Sequence, residues 1–296
     1  MISDKWSDVN SLRFWYNCNM NIGAHVSIAG GIENAPLNAK EEECECFQMF
    51  SRSPRGGKAP EITDEVVDRF QKNMKDNGLV NSYIHTPYYI NLASSKDRVR
   101  LGSINIIREE LDRASLLGVT AVMTHLGSSK DYTREKALQL VVDGVKEIMK
   151  GYKGTAVFLL EIAAGSGSII GDSFEEIGYI VKKVNHKKVA VCFDTAHAFA
   201  SGYDLRTEKD VNNTLKEFDK AIGLDLLQLF HINDSKVELN AKVDRHEHIG
   251  EGKIGKKGFE VLINHSKLKT VDFILETPAA GRSADIKLLK QLRKNK

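Results

Sequence analysis

The sequence predicts an α/β protein built as a single (β/α)8 TIM barrel, with a metal cluster at the C-terminal rim of its strands. Two observations carry this. Short apolar runs alternate with longer amphipathic ones along the whole chain, and most of the apolar runs end in His, Asp or Glu. A continuous apolar run bounded by turn residues reads as a strand buried on both faces, as in a parallel sheet. Strands are expected at 21–25, 46–50, 82–85, 121–125, 156–161, 189–194, 226–231 and 271–276. Helices are expected between them, for example at 64–77, 96–117, 133–150, 173–184 and 208–222. Within 97–117, Val99, Ile106, Leu111 and Leu116 recur at roughly helical spacing. Eight strands alternating with helices and no long linker fit the barrel. A doubly wound sheet would need a Gly-rich phosphate turn after the first strand, and GAHVSIAGG at 23–31 lacks the G-x-G-x-x-G spacing.

Composition narrows the class. The chain has 296 residues, 42% hydrophobic and 28% charged, with a formal net charge of +2. That is ordinary globular composition with room for a large core, and it is neither histone-like nor membrane-surface-like. No run approaches the length of a transmembrane helix, and the first twenty residues have no apolar signal core. Residues 1–20, with Trp6, Phe14, Trp15 and Tyr16, read as an extension before a barrel over 21–296. Cys18, Cys44, Cys46 and Cys192 make no C-x-x-C pair and no disulfide framework. A reducing compartment follows, hence the cytoplasm, with nucleoid association in a prokaryote. Cys44 and Cys46 read as the start of the second strand.

In such a barrel the chemistry sits at the carboxyl ends of the strands. Those ends read His25, Phe50, His85, His125, Glu161, Asp194, His231 and Glu276. The third to the eighth are all His, Asp or Glu, where chance supplies one of the three roughly one time in seven. His197 follows Asp194 by one helical turn in FDTAHAFASGYD, and Asp244 and His246 lie in the next long loop, VDRHEHIGEGKIG. A single buried histidine is more often a hydrogen-bonded core residue than a ligand. Nine imidazoles and carboxylates on one rim, with no thiolate, instead suit Zn²⁺, Mn²⁺ or Fe²⁺. They suffice for three metals if one carboxylate bridges, and such a cluster can activate water and polarise a phosphoryl group. His25 reads as structural or as support for the ligands. His186, His248 and His265 read as surface residues, and Glu247 and Glu251 as solvated.

The strings GAHVS-x-AGG, H-x-x-Y-x-INLA, LE-x-x-AG-x-GS, DT-x-HAFA-x-GYD, H-x-ND-x-K, VDRHEHIGEG-x-IG and ILETP, in this order, resemble endonuclease IV, the zinc-dependent apurinic/apyrimidinic endonucleases. The resemblance runs from about Asn21 to the C-terminus. It implies three zinc ions per chain, with manganese an option at one position. His85, His125 and Glu161 would hold the first. Glu161, Asp194, His231 and Glu276 would hold the second, with Glu161 bridging and Glu161 and Glu276 taken as the catalytic carboxylates. His197, Asp244 and His246 would hold the third. Tyr88 matches an aromatic residue that enters the DNA at the lesion, Arg55 an arginine inserted into the base stack, and Arg245 a phosphate contact. Arg52, Arg55 and Lys58 are expected to add positive charge to the same rim. Three departures stand out. Ile162 replaces a frequent Asn, Leu126 a frequent Pro, and Gly56-Gly57 bulkier residues after Arg55.

The resemblance implies hydrolysis of DNA on the 5′ side of an abasic site, in base excision repair, and cleaning of blocked 3′ ends. The partner would be double-stranded DNA carrying such lesions, bound by a monomer with no membrane association. Two rival readings remain. One is a xylose-isomerase-like sugar isomerase or epimerase, which uses one or two metals on the same rim. The other is a catalytically silent DNA-binding barrel, which would be expected to have lost a ligand.

Overall fold

The computed structural model describes residues 20–293, so all but the last residue of the expected N-terminal extension lies outside the described residues. Eight parallel strands close into a barrel. They are β1 (Ile22–His25), β2 (Cys46–Met49), β3 (Ser82–His85), β4 (Ala121–Thr124), β5 (Val157–Glu161), β6 (Val189–Asp194), β7 (Leu227–His231) and, at the end of the chain, β10 (Asp272–Leu275). Each pairs with its neighbours in sequence, and β1 closes on β10, with Gly23 opposite Ile274. A short antiparallel ladder, β8 (Asp234–Ser235) with β9 (His246–Glu247), stands on the loop after β7.

The helices are α1 (Ala35–Glu41), α2 (Asp64–Asp76), α3 (Asp97–Leu117), α4 (Arg134–Met149), α5 (Phe174–Val184), α6 (Thr195–Ser201), α7 (Glu208–Ala221), α8 (Gly255–Asn264) and α9 (Arg282–Leu292). Their starts are written locally. Thr63, Thr133, Ser173 and Thr207 each accept a backbone N–H from the first turn of the following helix. The α3 stripe differs from the expected one. Ile104, Ile107, Leu111, Ala114 and Leu117 are buried, whereas Val99 and Leu116 are exposed. The chain offers two overlapping apolar stripes there, and the barrel selects the one that also buries Arg113 and Glu110.

Strand side chains alternate between two cores. Phe47, Ile84, Val122, Phe158, Leu160, Phe193, Phe230 and Phe273 face the helices in the large outer core. Cys46, Tyr83, Ala121, Met123, Leu159, Ala190, Cys192, Leu229 and Ile274 fill the barrel interior. Cys44 and Cys46 are buried, and burial pushes the Cys44 thiol up to about 12, so these two lead into the second strand as packed neutral thiols. The amino end of the barrel is closed by Asp272. Its carboxylate accepts from the Asn21 backbone and side chain, at 3.0 and 2.8 Å, and from Asn81 Nδ2 and the Tyr83 hydroxyl, at 2.6 and 2.8 Å. Among the described residues no helix is long and apolar enough to cross a membrane.

Closure depends on a glycine. A Cβ at Gly23 would stand 1.7 Å from the Cys46 carbonyl oxygen of the next strand. Gly23→Ala must therefore push β1 and β2 apart. The expected cost is on the order of 3 kcal/mol or more, read as a drop in the denaturant midpoint of unfolding. An unchanged midpoint would show that the seam yields without loss.

Candidate metal centre

The strand period that fills the interior also builds the rim. Two residues beyond the interior residues Tyr83, Met123, Leu159, Cys192, Leu229 and Ile274 come His85, His125, Glu161, Asp194, His231 and Glu276. All six therefore point up the inside of the barrel. His125 and Glu276 lie one residue past the last paired residue of β4 and β10, rather than within the strands as expected. Asp194 is both the end of β6 and the cap of α6, its Oδ1 accepting from the His197 backbone at 2.8 Å. That cap fixes His197 on the first turn beside it. Asp244 and His246 come from outside the barrel, Asp244 on the loop leading into β9 and His246 as the first residue of β9.

Glu161 is fully buried at the centre of this group. Its Oε2 lies 3.2 Å from His85 Nε2 and 3.5 Å from His125 Nε2. Its Oε1 lies 2.9 Å from His231 Nδ1 and 3.5 Å from His197 Nδ1. His231 Nδ1 is also 3.3 Å from Glu276 Oε2 and 3.9 Å from Asp194 Oδ2. Asp244 reaches His197 Nε2 at 3.2 Å and His246 Nε2 at 3.3 Å, and His246 Nε2 is 3.7 Å from Asp194 Oδ2. Three sets of atoms thus converge: His85, His125 and Glu161; Glu161, Asp194, His231 and Glu276; and Asp194, His197 and His246, with Asp244 against the last two.

These atoms suit metal ions. Tetrahedral Zn²⁺ with bonds of about 2.0–2.1 Å holds its ligands about 3.3 Å apart, close to most of these separations. The tautomers agree. His85 Nδ1 donates to the Thr86 carbonyl at 2.6 Å, His197 Nδ1 to the Ile162 carbonyl at 2.9 Å, and His231 Nε2 to the Gln48 amide oxygen at 2.7 Å. These acceptors cannot donate, so each ring keeps its proton outside and turns the other nitrogen's lone pair inward. His197 Nε2 and His246 Nε2 are buried without a hydrogen bond among the described residues. Burial would raise the Glu161 pKa, but His125 and His231 outweigh it and hold the carboxyl well below its usual range. Burial likewise opposes the charge on His197, yet Asp194 and Asp244 raise it to about 10. The cluster has charges of both signs arranged for exchange of protons against cations.

Two residues unremarked in the sequence support the cluster. Gln48, fully buried on β2, accepts from His231 and donates to Glu276 Oε1 at 2.6 Å, with its nitrogen also 2.9 Å from His25 Nδ1. Burial lowers His25 to about 3, so it stays neutral and accepts from Gln48 as a support, its Nδ1 3.9 Å from Glu276 Oε1 but outside the three convergent sets. Asn233 donates to Asp194 Oδ2 and accepts from the Glu276 backbone, both at 2.8 Å. Gln48 follows the interior residue Cys46 by two, the same signal that marks the six rim residues. His248 is not a plain surface residue, because its Nδ1 pairs with buried Asp285 at 2.7 Å. Nor is Glu247 simply solvated, since it accepts from the His248 backbone.

The remaining rim residues divide. Tyr88 is 68% exposed and stands edge-on to Phe50, centroid to centroid 5.2 Å, which links it to His25 and His85. Arg55 and Arg245 are exposed. Gly56 and Gly57 both have positive φ, 115° and 106°, and a Cβ at Gly56 would touch the Tyr89 ring at 3.9 Å, so the Arg55 loop runs beside the Tyr88 loop. Arg52 does not add free charge to this rim. It is buried and paired with Glu109 and Glu110, while Arg113 ties the same loop through the Ser51 and Pro60 carbonyls.

A family described as a xylose isomerase-like TIM barrel matches residues 37–294. A protein of Halothermothrix orenii named "Probable endonuclease 4" is 39% identical over 278 residues, spanning 93% of this chain and 100% of the relative. The chain belongs to the endonuclease IV family. The endonuclease IV structure from Thermus thermophilus superposes with a TM-score of 0.83 at 31% identity, over 92% of this chain and 98% of that one. A D-tagatose 3-epimerase-like protein superposes with a TM-score of 0.71 at 21% identity, over 92% and 97%, and shares the fold alone.

Two departures from the endonuclease IV strings now have a place. The Ile162 and Leu126 side chains lie in the outer core. Ile162 touches the cluster through its carbonyl, on His197, so the side-chain change leaves that contact intact. Gln48 is different, because its side chain makes the contact. Gln48→Leu should weaken metal retention about 10–100-fold, measured as loss of metal against a graded chelator. Wild-type retention would show that His231 and Glu276 hold their places unaided.

Proposed function

We propose that this chain hydrolyses the DNA phosphodiester on the 5′ side of an abasic site and cleans blocked 3′ ends, as a monomer holding three metal ions, chiefly zinc. The observation that carries the reading is the convergence of His197, His246 and Asp244 beside Glu161, a third subsite that a one- or two-metal sugar epimerase does not need. His85, His125 and Glu161 would hold one ion, Glu161, Asp194, His231 and Glu276 the second, and His197, Asp244 and His246 the third. Bound there, the metals would supply Lewis-acid polarisation of the phosphoryl group and activation of water. The reaction adds water across the P–O3′ bond, leaving a 3′-hydroxyl and a 5′-deoxyribose phosphate. Glu161 and Glu276 place the reacting centre, and no side chain is consumed. Tyr88, Arg55 and Arg245, all exposed, would meet a bound duplex at the rim. An abasic nucleotide has no base to unstack, so its extrusion costs least there.

Elemental analysis of unchelated protein should give three metals per chain, and Glu161→Ala should lose incision by several orders of magnitude. One metal per chain with full incision, or an active Glu161→Ala, would overturn the assignment. Tyr88→Ala and Arg55→Ala should keep their metals and weaken binding of a duplex with one tetrahydrofuran site, by about 1–3 kcal/mol for the aromatic platform. Unaltered affinity and selectivity in both would remove the two loops from lesion recognition.

A further inference from the structure

His125 and Glu276 directly follow barrel strands, whereas Asp244 and His246 stand on neither a barrel strand nor its immediate end, nor on the helix that Asp194 caps. Their loop leaves β7, runs out over the rim and returns as β9. Beneath it sits Asp234, on β8, fully buried. Its Oδ1 accepts from the backbone N–H of Ser235 at 2.8 Å and of Ile254 at 2.9 Å. Its Oδ2 accepts from Gly250 and Gly252, both at 3.0 Å, and from Gly255 at 3.2 Å. No cation pairs with this carboxylate among the described residues. Backbone amides alone satisfy it, as in an anion nest.

Three of the five amides come from the turn after β9 and a fourth from Gly255, the first residue of α8, so one side chain folds that turn back under the loop. The fit is close. A Cβ at Gly252 would stand 2.5 Å from Asp234 Oδ1, and Gly250 has φ 85°. The register follows: Asp234 pairs with Glu247 and Ser235 with His246. Lys236 N–H bonds the Arg245 carbonyl at 3.0 Å, and Lys253 N–H bonds the Ser235 carbonyl at 2.8 Å. Both ends of the segment from Arg245 to Lys253 are therefore fixed to β8 and its extension.

We infer that Asp234 is the positioning residue of the third subsite: a carboxylate buried among backbone amides sets the register of β9 and thereby aims His246 and Asp244 at His197. The inference rests on reading the cluster as three metal subsites. It requires the loop to be ordered before metal arrives, with the protein and not the ion as its template.

The test uses the full chain with Asp234→Asn, which keeps the size but turns one acceptor into a donor facing amide N–H groups. In metal-free protein, hydrogen exchange at Gly250, Gly252 and Ile254 should speed up tenfold or more, with β5 and β6 unaffected. After zinc loading and dialysis, the variant should keep two metals per chain where wild type keeps three. Gly252→Ala displaces the same turn without changing charge. It should give the same two results, and it decides the matter if Asp234→Asn does not fold. Wild-type exchange at the three amides, or three retained metals in a variant whose turn exchanges fast, would overturn the inference. Wild-type protein that itself holds fewer than three metals would count against the three-subsite reading, while the exchange result would still report whether Asp234 orders the loop.

Discussion

Glu161 is a carboxylate with no solvent exposure at the end of a central strand, and four imidazole nitrogens stand within 2.9–3.5 Å of it. A lone buried charge costs several kcal/mol and is retained only where partners and hydrogen bonds surround it. Three of the four, His85, His197 and His231, are themselves held from behind. Thr86 and Ile162 lend carbonyl oxygens, and Gln48 lends an amide oxygen from the strand on the far side of the barrel. The imidazoles are placed only as well as the barrel is closed, and the close seam between β1 and β2 is thus part of the chemistry. Electrostatics at the rim and packing at the seam are one problem.

Much of this arrangement is legible in the residues. Apolar runs ending in His, Asp or Glu locate six rim residues to within one position, because strand alternation is strict and a parallel barrel buries both faces. The stretch from Asp194 to His197 carries its own geometry, since a capping carboxylate and an imidazole one turn on must share a helix end. The same period misleads at β2. Apolar character puts the strand end at Phe50, yet Phe50 packs against His25 and Tyr88, and the inward position belongs to Gln48. A strand is delimited by its ladder, and apolar character runs past the last paired residue.

Other features have no local signal. Arg52 reads as rim charge until Glu110, 58 residues on, is found beside it. Asp234 reads as one more loop carboxylate, because four of its five partners are backbone amides 16 to 21 residues away, one of them on Gly252, where a Cβ would collide with the carboxylate. In α3, Val99 and Leu116 satisfy helical spacing as well as the buried stripe does, and only the position of the barrel discriminates. What escapes is whatever is set by the closure of distant segments on one another. The fold shared with an epimerase-like barrel at 21% identity makes the same point, since closure recurs where rim chemistry need not.

Asp272 and its partners Asn21, Asn81 and Tyr83 stopper the end of the barrel opposite the cluster, beneath a layer of close-packed interior side chains. The vessel has one mouth. Whatever reaches the cluster arrives and departs on that one face, and on the proposed reading a cleaved strand still paired to its complement would cover the face until the whole duplex lifts away. Departure and the next arrival would then compete for a single doorway, and turnover would be tied to how fast the doorway clears.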